Sequence, residues 1–139
     1  RTRRVLTEWK LDKVADRPFG SLSEGETKRA QIARSIMTDP ELLLLDEPVA
    51  ALDLGSREEV MQMLGAFASN PSAPAIVMVT HHVEEIPRGF THVLLLKDGE
   101  VVSQGPIDEM LTSANLSLTF GITVDVANES GRYWARARL

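Results

Sequence analysis

Along the chain, apolar positions at helical spacing alternate with short unbroken apolar runs. Between residues 5 and 17, Val5, Leu6, Trp9, Leu11, Val14 and Ala15 stand among charges, which predicts a short amphipathic helix or a pair of turns. Arg17, Pro18, Phe19 and Gly20 break it. Ser23-x-x-Glu26 is a capping-box pattern, so a helix is expected to begin near Ser23. Ile32, Ala33, Ile36 and Met37 form its inward face, and Asp39-Pro40 stops it. Leu42, Leu43, Leu44 and Leu45 follow in a row, which predicts a strand buried on both faces, as in parallel sheets. A loop over residues 49–54 leads to a helix over 56–68, with Val60, Met61, Leu64 and Phe67 inward. After the turn residues 70–74 comes a second all-apolar strand, 75–79, ending in Thr80-His81-His82.

The pattern then changes. Residues 84–88 predict a helical turn. Strands over 92–96 and 100–103 are joined by Lys97-Asp98-Gly99, a hairpin signal. A short helix is expected over 107–111. Residues 123–126 and 133–137 flank Asn128-Glu129-Ser130-Gly131, a second hairpin signal. No repeat or low-complexity stretch interrupts the chain. The expected boundary lies near residues 112–117, dividing a main part, 1–115, from an extension, 116–139, read as a hairpin packed on the domain. Helices alternating with apolar strands indicate the α/β class.

Composition narrows this picture in a few places. The 139 residues are enough for a domain with a real core. A net charge of −5 argues against a nucleic-acid-binding surface. The chain has no cysteine, which excludes disulfides and thiolate metal sites. No apolar run approaches the ~18 residues of a membrane span. The first residue is Arg1 and not Met, so the chain is read as a piece of something longer.

Two predicted strand ends carry chemical groups: Asp46-Glu47 after the leucine run, and Thr80-His81 after 75–79. Ligands in open α/β sheets bind at the carboxyl ends of strands. Two carboxylates there can divide the labour, one holding a metal ion and the other orienting a water. If the two strands are parallel neighbours, both ends meet at one edge. Each motif alone also has a plain reading: a polar loop start for Asp46-Glu47, a structural hydrogen-bonder for His81.

The joint pattern goes further. Leu22-Ser23-Glu24-Gly25-Glu26 precedes a helix carrying Lys28-Arg29 and Ile32-Ala33-Arg34. Then come Asp39-Pro40, Leu42-Leu43-Leu44-Leu45-Asp46-Glu47-Pro48, Ala51-Leu52-Asp53 and Thr80-His81. From about residue 16 to 106 this order and spacing resemble the ATP-binding cassette (ABC) ATPases. The resemblance implies part of a P-loop NTPase fold, a mainly parallel sheet flanked by helices, with a C-terminal β-hairpin. It implies ATP and Mg²⁺ as ligands. By the same likeness, Ser23, Gly25 and Glu26 lie in the signature motif, usually Leu-Ser-Gly-Gly-Gln, which contacts the γ-phosphate of ATP on the opposite subunit. A serine hydroxyl, a glycine that lets a backbone approach closely and a helix N-terminus all suit phosphate. Glu24 and Glu26 depart from the motif and bring negative charge to it. The plain alternative for these residues is an N-cap. Asp46 matches the Walker B aspartate that holds Mg²⁺ through water, Glu47 the catalytic glutamate that polarises water, and His81 the switch histidine that senses the γ-phosphate. Asp53 matches the D-loop aspartate at the dimer interface, with an N-cap as its plain alternative. His82 and His92 are read as structural and surface residues.

The resemblance also implies partners: a second ABC ATPase subunit in a head-to-tail dimer, and transmembrane permease subunits that hold the protein on the cytoplasmic face of the membrane. No nucleic acid is expected. Two further readings are a non-transport ABC ATPase working on ribosomes or DNA, and a non-catalytic dimerisation or regulatory module. The sequence holds no Gly-x-x-x-x-Gly-Lys-Ser/Thr loop, so the chain alone is expected to bind ATP poorly and hydrolyse it negligibly. In the family the strand leading into that loop lies between those matching 75–79 and 93–96. Without it two strand edges are expected to be unpaired, and the chain to self-associate.

Overall fold

The computed structural model describes all 139 residues, which divide into two compact units, Arg1–His81 and His82–Leu139. The first unit opens with helix α1 (Thr2–Glu8). The chain then reverses at Lys10, whose φ is 51°, and forms a short 3₁₀ turn, Asp12–Val14. The segment expected as one helix or two turns over 5–17 is therefore both, and its helix begins ahead of Val5. A second 3₁₀ turn (Phe19–Ser21) leads into α2 (Glu24–Ile36), β1 (Leu42–Asp46), α3 (Leu54–Ala68) and β2 (Ala75–Val79).

β1 and β2 are parallel neighbours, in register from Leu42 opposite Ala75 to Asp46 opposite Val79. One face of this ladder, bearing Leu43, Leu45, Ile76 and Met78, packs on the core. That core combines Val5, Trp9 and Leu11 with Ile32, Ala33 and Ile36 of α2 and Val60, Met61 and Leu64 of α3. Trp9 meets Phe67 edge-on, with ring centroids 6.1 Å apart. The other face is open: Leu42, Leu44, Val77 and Val79 are each about half exposed or more. The expectation of a strand buried on both faces thus holds for one face only. Four adjacent leucines report apolarity on both sides of a strand but not what covers each side.

In the second unit a 3₁₀ turn (Val83–Glu85) precedes β3 (His92–Lys97) and β4 (Glu100–Pro106), an antiparallel hairpin with a bulge between Leu95 and Leu96. Gly99, at φ 76°, closes it. α4 (Ile107–Met110) and α5 (Ser113–Phe120) follow, then the antiparallel hairpin of β5 (Val124–Glu129) and β6 (Arg132–Ala137). Thr112 caps α5 by accepting from the Asn115 N–H, and left-handed Gly121 ends it. The unit has its own core of Val83, Leu95, Ile107, Leu111, Leu116, Val124 and Tyr133. The hairpin is tied to the 3₁₀ turn by Arg132, which donates to the Glu84 carbonyl at 2.8 Å. Residues 112–117, the expected boundary, fall at the start of α5 inside this unit, and the chain divides at His81–His82.

The α/β class stands, but parallel pairing is confined to β1 and β2. The other two ladders, β3–β4 and β5–β6, are antiparallel, and each of the three sheets has two strands. Both outer edges of the β1–β2 ladder are consequently unpaired. No helix is long and apolar enough to cross a membrane.

Candidate functional site

Every residue singled out from the sequence for ligand chemistry lies in the first unit. Parallel pairing of β1 and β2 places their carboxyl ends side by side. The Glu47 N–H donates to the Val79 carbonyl at 2.8 Å, one step beyond the Asp46–Val79 pair. Glu47 then turns sharply, with φ at 47°, and its carbonyl accepts from the Ala50 N–H at 3.2 Å. A non-glycine residue in the left-handed region carries a cost of about 1–2 kcal/mol. Here that conformation swings the carboxylate off the strand direction. His81, two residues past the end of β2, meets it: Nε2 stands 3.3 Å from Oε1 of Glu47. Both side chains remain open to solvent, 73% for His81 and 44% for Glu47, so a water or a phosphate can reach either. Asp46 is exposed beside them.

The chain offers no cluster of three or more His, Cys, Asp or Glu side chains able to cage a metal ion. Asp46 with Glu47 is a donor set of another kind. Mg²⁺ keeps several waters and takes one or two carboxylates, completing its shell with substrate phosphates. The strand-end carboxylates fit that mode of binding. The backbone cradle for the phosphates themselves is not encoded in these 139 residues.

A second group forms at the N-termini of α2 and α3. The capping box read in the sequence is realised at both bonds. Ser23 Oγ accepts from the Glu26 N–H at 3.2 Å, and Glu26 Oε1 accepts from the Ser23 N–H at 2.9 Å. The bond from the Ser23 backbone holds the Glu26 carboxyl below its ordinary range, aided by the Ser23 hydroxyl. Asp53 caps α3, its Oδ1 accepting from the Ser56 N–H at 2.8 Å. That backbone bond, together with a bond from the Ser56 hydroxyl, lowers the Asp53 carboxyl as well. Because Asp53 is the cap, α3 begins at Leu54, ahead of the expected start at Ser56.

Gly25 is buried, unlike Ser23 and Glu24 beside it. A Cβ placed on it would come within 3.3 Å of both Cβ and Oγ of Ser56. The close approach that a glycine permits at this position is therefore made to α3. One turn further on, Arg29 Nη1 donates to Glu59 Oε2 at 2.8 Å, and Lys10 reaches the other oxygen of Glu59 at 3.0 Å. The two contacts run in the same direction along both helices, so α2 and α3 lie with their N-termini side by side.

The structure thus joins Glu47 to His81, and Gly25 through Ser56 to Asp53. The loop from Pro48 to Leu52, in which Ala51 is also left-handed at φ 64°, connects the two groups along the chain. His92 is exposed, and its ring Nδ1 stands 2.9 Å from Thr91 Oγ1. Ser56 and Ala51 were not visible as site residues. A helix-start serine and an alanine carry no signal until their neighbours are known.

The sequence profile of ABC transporters matches residues 1–50, which include Ser23, Gly25, Glu26, Asp46 and Glu47. YlmA, an ABC transporter ATP-binding protein of Bacillus subtilis, is 48% identical over 88% of this chain and 47% of its own length. Over most of its length the chain is similar to ATP-binding proteins of the ATP-binding cassette family. A more distant relative is the molybdenum import ATP-binding protein ModC of Aromatoleum aromaticum, 42% identical over 79% of the chain and 28% of its own length. Among solved structures, an ABC transporter of metal-chelate type in an inward-facing conformation is 28% identical. It matches with a TM-score of 0.81 over 97% of this chain and 54% of that one. CbiO1 of Clostridium perfringens, part of the CbiONQ transporter complex, is 29% identical, with a TM-score of 0.71 over 83% and 45% of the two chains. The fold is that of ABC ATPase domains. The chain spans about half the length of YlmA.

Proposed function

We propose that this chain contributes the water-activating half of an MgATP hydrolysis site in the ATP-binding subunit of an ABC transporter. The observation that carries this is the 3.3 Å approach of His81 to Glu47 at adjacent ends of two parallel strands. Glu47 orients and polarises the attacking water, and the transition state gains from a carboxylate already fixed in place. His81 holds the Glu47 carboxylate and offers a donor toward the terminal phosphate. Asp46 holds Mg²⁺ through its waters, and the bound cation neutralises charge on the phosphates. Ser23, Gly25 and Glu26 form the helix end that faces ATP bound by a second subunit, and Asp53 stands at the interface between the two.

This reading implies a head-to-tail dimer of cassette subunits and permease subunits that carry the transport path, with the ATPase on the cytoplasmic face of the membrane. The phosphate cradle comes from polypeptide outside these residues. Residues 1–115 belong to the cassette and 116–139 to its extension. Left alone, the chain associates with itself through its open strand edges and lacks turnover.

The test is ATP hydrolysis by this chain assembled with a polypeptide that supplies a Gly-x-x-x-x-Gly-Lys loop. Glu47→Gln is expected to lower kcat by about 10²–10⁴-fold, the usual worth of a positioned general base. Turnover unaffected by Glu47→Gln sinks the assignment, and Glu47-dependent turnover by the chain alone sinks the claim that it needs a phosphate loop supplied from elsewhere.

A further inference from the structure

The Ser56 side chain sits between two groups that the reaction uses. On one side its hydroxyl and its N–H both donate to the Asp53 carboxylate. On the other, its Cβ and Oγ would each stand 3.3 Å from a Cβ built on Gly25, a tight approach. Gly25 in turn follows Ser23 by two residues on a helix end locked by a reciprocal cap. Below this contact the Arg29–Glu59 bond keeps α2 and α3 from rolling apart. We infer that Ser56 is a positioning residue, which fixes the distance between the Ser23 hydroxyl and the Asp53 carboxylate so that both meet the neighbouring subunit as one unit. The consequence for reactivity rests on the proposed function. The geometric link does not.

The physics is steric. A Cβ at 3.3 Å is tighter than ordinary van der Waals contact, so Gly25→Ala forces Ser56 or the helix end to give by tenths of an ångström. Misplacements approaching an ångström can cost a catalyst about 10²-fold, and a shift of tenths about tenfold. Removing the Ser56 side chain makes room again.

The test is a cycle of Gly25→Ala, Ser56→Gly and the double variant, read in two ways. In the chain itself, the amide signals of Ser23 and Glu26 are followed by ¹⁵N NMR. Gly25→Ala is expected to displace both, and the added Ser56→Gly to return them toward their original positions. In the assembled ATPase, Gly25→Ala is expected to lower kcat by about tenfold with KM for ATP little changed, and the double variant to recover most of it. If Gly25→Ala does not fold, Ser56→Gly alone decides: it is expected to speed hydrogen exchange at the Ser23 and Glu26 amides. Additive effects in the cycle, or signals unmoved by either single change, overturn the proposal. An assembly without turnover refutes the proposed function, while the amide signals still decide the role of Ser56.

Discussion

Ala51 is the position where the backbone argument can be tested most directly. Its φ of 64° lies in the left-handed region, and its side chain is exposed. The methyl group therefore contributes little packing and suffers the clash with the following carbonyl, worth about 1–2 kcal/mol. Ala51→Gly removes that clash. Glycine also has more freedom in the unfolded chain, which takes back about 0.4–1 kcal/mol. The net expectation is a gain of about 0.5–1 kcal/mol. For a unit of this size that raises the melting temperature by about 2–8 °C. Ala50 is the matched control, since its φ is not positive. Ala50→Gly has no strain to relieve and is expected to destabilise. Paired urea and thermal melts measure both. An Ala51→Gly variant that loses stability as Ala50→Gly does would mean that the loop carries no strain at Ala51.

Three further outcomes follow from the same geometry. Ser23→Ala removes the α2 cap and is expected to cost about 1 kcal/mol in a urea melt, whereas Glu26→Gln keeps the bond to the Ser23 N–H through its amide carbonyl and leaves the Ser23 amide signal in place. Glu26 and Asp53 have carboxyls lowered from 4.5 and 3.8, so their contribution is complete above about pH 4.5 and is lost as pH falls through the lowered folded values. The urea midpoint should drop over that acid range, less steeply in Glu26→Gln and Asp53→Asn. Leu44 is 68% exposed on the open face of the β1–β2 ladder, so Leu44→Lys is expected to change monomer stability by less than about 0.5 kcal/mol while reducing association in light scattering.

Much of the first unit was legible because its signals are local. Both halves of the α2 cap, Ser23 and Glu26, lie within one turn, and the pattern was realised at both bonds. α2 ends at Ile36, shortly ahead of Asp39-Pro40, and the leucine run gives β1 nearly to the residue. The cap at Asp53 was legible as an alternative, and α3 starts right after it at Leu54, two residues ahead of the expected Ser56. Other features were not legible for a physical reason. Glu47 and Ala51 adopt left-handed backbones without being glycine or asparagine, so composition gives no warning. The side on which Gly25 is approached depends on a residue of another helix. The mainly parallel sheet was inferred from a family pattern, and among these residues only β1 and β2 pair in that way.

The proposed site residues share a property that bears on how they work. Ser23, Asp46, Asp53 and His81 are exposed at the ends of elements, and Glu47 is only partly covered. Their positions come from the main chain. One interstrand bond sets where Glu47 leaves β1, a left-handed φ sets where its carboxylate goes, and two caps set the ends of α2 and α3. The core that supports them, including Val60 and Leu64 at 0% exposure, is formed by other side chains. Core substitutions should therefore change stability first and leave the site's distances alone. Changes at Gly25 or Ser56 should do the reverse, because they alter a separation while removing little buried surface. A site built this way can open toward a second subunit, as the proposed function asks of it, without exposing its core.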